Sequence, residues 1–168
     1  VEILCIFLFL LCLGANIALG GKVSQSSQYG GAGPQKAVDG NRANNWRDKS
    51  CAHTRKNRDP WWRLDLEQAY SISTVTITNR RDCCPERLNG LNITTVGGTE
   101  SLAHKWGPLP CMCHGGPIFQ MTTPLLNQVA TSTWVIPGRA EYLTLCEVEV
   151  FGTLADQDDD DEVKCEGM

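Results

Sequence analysis

A chain of 168 residues, 42% apolar and 20% charged, has room for one hydrophobic core and does not require a second domain. Its net charge of −4 does not invite nucleic acid, whose binding rests on clustered lysine and arginine. The charge is uneven. Residues 156–168 carry seven of the 19 acidic side chains and only Lys164 as a base, leaving 14 bases against 12 acids elsewhere.

The opening stretch, residues 1–15, reads VEILCIFLFLLCLGA. It is shorter than the roughly 20 apolar residues that span a bilayer and fits the apolar part of a signal peptide. No membrane insertion is expected, cleavage is expected after Ala15 or Gly20, and the start of the precursor is expected to lie upstream of Val1. Strand periodicity follows. In Trp62-Arg63-Leu64-Asp65-Leu66, large apolar residues alternate with charged ones, and Ser73-Thr74-Val75-Thr76-Ile77-Thr78 alternates likewise with β-branched residues. Residues 91–96 and 143–151 give two more such stretches, and turns are marked by Asp39-Gly40, Asn89-Gly90, Gly97-Gly98 and Pro137-Gly138. No long amphipathic helix and no internal repeat interrupts them. The fold class expected is all-β, an antiparallel β-sandwich of one domain over residues 16–153. Beyond it, residues 154–168 read as a self-repelling acidic tail or linker.

Removing the leader takes Cys5 and Cys12 with it. Cys51, Cys83, Cys84, Cys111, Cys113, Cys146 and Cys165 remain, and in an exported chain these point first to disulfides, with one thiol left over. Zinc is the rival reading of Cys111-Met112-Cys113-His114, but the spacing is not that of a zinc finger and no second ligand pair follows. Asn92-Ile93-Thr94 is a glycosylation sequon, with Asn92 expected on the outward face of its strand.

Polar chemistry gathers in Cys51-Ala52-His53-Thr54 and in Asn79-Arg80-Arg81-Asp82-Cys83-Cys84-Pro85-Glu86-Arg87. Arginine is a rigid fork of donors, suited to two neighbouring oxygens at once. Counting from His53, 26 residues precede Arg80, Asp82 completes an R-x-D, and four residues separate it from Arg87. In this spacing the chain resembles the F-type lectins, whose sugar motif has that form. The resemblance extends through Ala37-Val38-Asp39-Gly40-Asn41-Arg42, Asp59-Pro60-Trp61-Trp62-Arg63-Leu64-Asp65-Leu66 and Leu145-Cys146-Glu147-Val148-Glu149-Val150.

The resemblance implies a discoidin-like jelly roll and a secreted lectin for fucosylated glycans, acting as a homo-oligomer in innate recognition. It assigns direct sugar contacts to His53, Arg80 and Arg87, with Asp82 orienting an arginine. A bridge between the adjacent Cys83 and Cys84 offers the sugar an apolar face, and Trp46 is the candidate wall for the fucose methyl group. It further implies a calcium ion held by Lys36, Asp39, Asn41, Ser50, Cys146 and Glu147, through the carbonyl of Lys36 and an all-oxygen set suited to that ion, with Cys51 bonded to Cys146. Departures are visible too. The loop 28–34, QYGGAGP, is shorter than in the eel member, Arg47 replaces an aromatic, and between residues 107 and 133 the likeness fails, so that either the strand before the last hairpin is lost or the sequence is in error there. A discoidin-like adhesion module is the alternative. Catalysis is not expected, because no separate carboxylate pair remains once Asp39 and Glu147 go to the metal.

Overall fold

Alternation along a strand puts every second side chain on one face, and the stretch from Trp61 to Thr78 shows what happens when that parity slips. Trp62, Leu64 and Leu66 are buried, Arg63 is exposed, and then Ile72, Val75 and Ile77 are buried. An even-numbered series gives way to an odd one. In the computed structural model, which describes residues 15–97, 104–105 and 118–155 (only the backbone path at 104–105 and 118–128), this stretch is one bent strand. Glu67, at φ 63°, takes the left-handed conformation at the bend.

The strands in chain order are β1 (Lys22–Gln25), β2 (Ala52–His53), β3 (Asn57–Arg58), β4 (Trp61–Thr78), β5 (Asn92–Val96), β6 (His104–Lys105), β7 (Ile118–Val135), β8 (Ala140–Glu141), β9 (Thr144–Leu145) and β10 (Glu147–Leu154). The main sheet runs β1-β4-β7-β5-β6, with β10 also on β4. β1 pairs with the first part of β4 and β10 with the second, while β7 follows β4 from Trp61↔Val135 to Thr78↔Ile118. Two short pairs, β2–β9 and β3–β8, complete the antiparallel sandwich. The register of β4 and β7 breaks between Ile72 and Thr74, where the burial parity changes.

Trp62 and Trp134, opposite each other on β4 and β7, meet edge to face at 5.8 Å in the core. Each indole N–H is satisfied, Trp62 donating to the Pro34 carbonyl at 3.1 Å and Trp134 to Ser132 Oγ at 3.0 Å, as a buried tryptophan requires. Leu64, Ile77, Leu88, Leu91, Ile136, Leu145 and Val148 pack around them. The disulfide Cys51–Cys146 joins the segment entering β2 to the start of β10.

Three expectations are corrected. The strand thought lost between residues 107 and 133 is present as β7, with Pro124 in the register break between Thr122 and Leu126, where a residue without an N–H removes no ladder bond. The stretch 143–151 divides into β9 and β10 at Cys146. Asn92 does not face outward: it is 8% exposed, because Leu91 and Ile93 on either side are also buried and alternation fails where β5 leaves the Pro85–Leu88 turn. The proposed leader through Gly14, Cys111, Cys113, Cys165 and the tail beyond Ala155 lie outside the described residues. No described helix is long and apolar enough to cross a membrane.

Gly152 follows a bulge in β10, and a Cβ there would lie 2.4 Å from the Ser71 carbonyl oxygen and 3.0 Å from Ile72 Cα. Gly152→Ala is therefore expected to destabilise by about 1–3 kcal/mol, the scale of overpacking. At Gly20 a Cβ meets nothing within 4 Å, so Gly20→Ala should stay within about 0.5 kcal/mol. Equal losses for the two in urea denaturation would contradict the close approach of β10 to β4.

Candidate functional site

His53 ends β2, pinned on both sides by backbone. Tyr29 N–H donates to its carbonyl at 2.9 Å, and its own N–H donates to the Ala32 carbonyl at 3.2 Å. Its Nδ1 lies 2.6 Å from the Thr54 carbonyl. A carbonyl only accepts, so Nδ1 carries the proton and the neutral ring keeps Nε2 as an acceptor. Arg80 follows the end of β4, and its guanidinium grips Asp82 with two bonds, Nε to Oδ1 at 3.0 Å and Nη2 to Oδ2 at 2.8 Å. Asp82 Oδ1 also accepts the Trp46 backbone N–H at 2.9 Å. One carboxylate thus fixes both Arg80 and the turn bearing Trp46, over whose ring Arg80 stacks at 5.0 Å. Cys84, at φ 57°, reverses the chain into the short turn Pro85–Leu88, where proline's fixed φ suits the first position. That turn presents Arg87, which stacks over Tyr142 at 4.7 Å with Glu141 Oε1 3.8 Å from its Nε.

His53, Arg80, Arg87 and Trp46 come together with Tyr29 and Tyr142 around one open cleft of about 210 Å³. His53 lies 5.0 Å from Trp46 and 5.3 Å from both tyrosines, ring centre to ring centre. Cys83 and Cys84 are bonded to each other. Neither they nor Asp82 line the cleft; they occupy the segment between its two arginines.

The electrostatics divide the labour. Arg80's hydrogen bonds, with the Trp46 N–H, hold the Asp82 carboxyl at about 2 against the opposing effect of burial. His53 is pushed below its ordinary value, chiefly by burial and further by the Arg87 and Arg80 charges, against the Thr54 hydrogen bond. The cleft therefore offers fixed cationic donors beside a neutral imidazole, with Asp82 balancing one charge from behind.

None of the six candidate cation ligands lines this cleft. Glu147 is fully buried, and its Oε1 accepts the Gly40 N–H at 3.1 Å, joining the Asp39-Gly40-Asn41 turn to β10. Asp39 Oδ1 accepts the Asn41 N–H at 2.9 Å, and Ser50 Oγ donates to the Ala43 carbonyl. Lys36 donates from its ammonium to the Lys49 carbonyl. Burial, with Asp39 and Glu149 nearby, pushes the Glu147 carboxyl up to about 7, and its Oε2 has no hydrogen-bond partner. A buried carboxylate oxygen without a partner is what a hard cation would satisfy, so these residues fit calcium. Among the described residues no three His, Cys, Asp or Glu side chains form a metal cluster, so such a site would depend on hydroxyl and carbonyl oxygens.

Comparison with known proteins decides the family. Fucolectin-5 of Anguilla japonica is 39% identical over 148 residues, which is 83% of this chain and 77% of that protein. The chain belongs to the F-type lectins, or fucolectins. Residues 36–104 also match the family described as NedA-like, galactose-binding domain. Among solved structures, the serum F-lectin of the striped bass, Morone saxatilis, is 38% identical with a TM-score of 0.72, covering 85% of this chain and 49% of its own. This chain thus spans about half of that one. A fucose-binding module of Streptococcus pneumoniae, at 25% identity, matches with a TM-score of 0.73 over 81% of this chain and 96% of its own.

Two cleft residues of this F-type lectin escape sequence reasoning, Tyr29 and Tyr142. Tyr29 stands alone in a glycine-rich loop and Tyr142 just before Leu143, so neither belongs to a spaced pattern; the only signal is their aromatic character in turn-rich segments. For His53 the geometry gives a measurable outcome. The folded state binds its proton less readily than the unfolded chain, so this group's contribution makes stability rise with pH toward 6.5 and level off above it. Ring-proton NMR should show a midpoint below 6.5, and His53→Gln should remove that part of the pH dependence of Tm. A midpoint at or above 6.5 would contradict the buried, arginine-flanked environment.

Proposed function

We propose that this chain is a calcium-supported, secreted lectin that binds terminal L-fucose on glycans and serves innate recognition. The convergence of His53, Arg80 and Arg87 on one aromatic-walled cleft carries the reading. Sugar hydroxyls both donate and accept. Arg80 and Arg87 supply donors, and Nε2 of neutral His53 supplies the acceptor. Trp46 and Tyr29 form an apolar wall for the fucose methyl group, and the Cys83–Cys84 pair, outside the cleft lining, stiffens the segment between the two arginines. Relatives named as fucolectins and a fucose-binding module support the same assignment, and a relative in fish serum supports the extracellular setting. The two disulfides suit an oxidising compartment. A single open cleft of this size binds one fucose weakly, so useful avidity comes from a homo-oligomer. The function is binding, not catalysis.

Each of Arg80→Ala and Arg87→Ala is expected to cost about 1.5–3 kcal/mol of fucose binding, the scale of hydrogen bonds from a charged group, or roughly tenfold to a hundredfold in affinity. Calorimetry finding both variants within about twofold of the parent would remove the site assignment.

Lys36, Asp39, Asn41, Ser50, Cys146 and Glu147 would hold the calcium. When bound, the ion supplies positive charge beside the buried carboxylate and ties the turn at Asp39, the segment before His53 and the start of β10. A ligand that binds only the folded state stabilises it by about 2.7 kcal/mol at a hundredfold excess over Kd. Chelation should therefore lower Tm and weaken fucose binding through displacement of His53. Glu147→Gln should abolish the calcium-dependent rise in Tm, whereas Arg80→Ala should keep it. Identical melting with and without millimolar calcium would eliminate the metal site.

A further inference from the structure

A second cavity adjoins the fucose cleft and shares two of its walls. It has a volume of about 420 Å³, and its lining includes Tyr29, Trp46, Lys36, Arg47, Lys49 and Cys51. Three of these are cations and none is an acid. No carboxylate among the described residues pairs with any of the three, although Arg42, Arg58, Arg80 and Arg87 all have acidic partners. Lys36 is half-buried, and its ammonium donates to the Lys49 carbonyl. An ammonium has three donors, so this contact positions the charge at the cavity without exhausting it. Arg47 and Lys49 are exposed, so nothing about their burial explains the clustering.

Their backbone shows that the cluster is built into a turn. Asn45 Oδ1 caps the Trp46–Asp48 turn by accepting the Arg47 N–H at 3.0 Å, and Lys49 closes it in the left-handed conformation at φ 57°. A non-glycine residue seldom takes that conformation unless its surroundings impose it. The same turn carries Trp46, which Asp82 holds against Arg80. The backbone bearing Arg47 and Lys49 is therefore fixed relative to the fucose cleft, with Trp46 and Tyr29 lining both cavities as a common partition.

Resting on the fucose reading above, we infer that this second cavity receives a negatively charged group, a sulfate ester or a carboxylate, carried by the sugar to which the fucose is attached. The preferred ligand is then an anionic fucosylated oligosaccharide. Fucose seats against His53, Arg80 and Arg87, and the adjoining sugar crosses the Tyr29–Trp46 partition and places its anion among Lys36, Arg47 and Lys49. Because two of these cations are exposed, each contributes only as much as a surface ion pair, and the effect weakens as salt screens it.

The test measures binding of the full chain to three oligosaccharides that share one fucosylated trisaccharide: the neutral parent, the parent with a sulfate on the sugar next to fucose, and the parent with a sialic acid there. At low salt, roughly 50 mM, at least one anionic form should bind about fivefold or more tighter than the neutral one, and the gain should fall toward parity at roughly 500 mM. Whichever form gains identifies the anion. Arg47→Gln with Lys49→Asn should remove most of the gain and leave the neutral ligand's affinity unchanged; asparagine tolerates the left-handed backbone at 49. The single variant Arg47→Gln, at an exposed side chain, should lose about half of the gain in free-energy terms and guards against misfolding of the double variant. Equal affinity for neutral and charged forms, or a gain that survives the double substitution, overturns the inference while leaving the fucose reading intact. Failure of the neutral ligand to bind overturns the fucose reading, and this one with it.

Discussion

Between Cys51 and Cys146 a disulfide closes 95 residues of chain, and the Cys146 N–H, donating to the Thr78 carbonyl at 3.0 Å, brings a third segment to the same point. His53 lies two residues after the first cysteine and Arg80 two residues after Thr78. Glu147 follows the second cysteine directly. A loop of that length loses about 4–5 kcal/mol of unfolded-state freedom when closed, in the chain-entropy treatment. Its larger consequence here is positional. Side chains far apart in sequence share one rigid junction, which sets His53 and Arg80 by the sandwich's own ladder, while Tyr29, Trp46, Arg87 and Tyr142 reach the cleft from loops and turns.

Charge within the cleft is managed by shape as much as by pairing. Arg80 is locked by a bidentate carboxylate and stacked on Trp46, whereas Arg87 stacks on Tyr142 with a looser acidic neighbour in Glu141. Stacking on an aromatic face fixes a guanidinium without consuming its in-plane donors. Nε2 of His53, neutral because burial and two nearby cations disfavour its protonation, adds the acceptor that arginines cannot provide. Donors and acceptor are thus prearranged before any hydroxyl arrives.

Much of this was legible in the sequence where a physical rule has a fixed period. Alternation found the two halves of β4, and the fixed spacing from His53 to Arg87 found the three polar walls of the cleft. What failed has identifiable causes. β4 looked like two strands because its parity slips near Ile72, and β7 was missed because Pro124 and weak alternation obscure a strand that is bent to match. Asn92 was placed outward by simple alternation, which fails where Leu91, Asn92 and Ile93 are all buried. Tyr29 and Tyr142 reach the cleft through tertiary approach, for which no local spacing exists. The cation set read at Asp39, Asn41 and Glu147 came from likeness alone; its physical rationale appeared only with the unpartnered oxygen of Glu147.

The loop from Tyr29 to Ala32 is tied to His53 at both ends, one bond to its carbonyl and one from its N–H, while a Cβ at either Gly30 or Gly31 between them would meet nothing within 4 Å. Anchorage and variation are therefore separated along four residues. Exchange at Gly31 alters the rim of the cavity beside the cleft without breaking either bond to His53, whereas Gly30, at φ 56°, keeps its glycine.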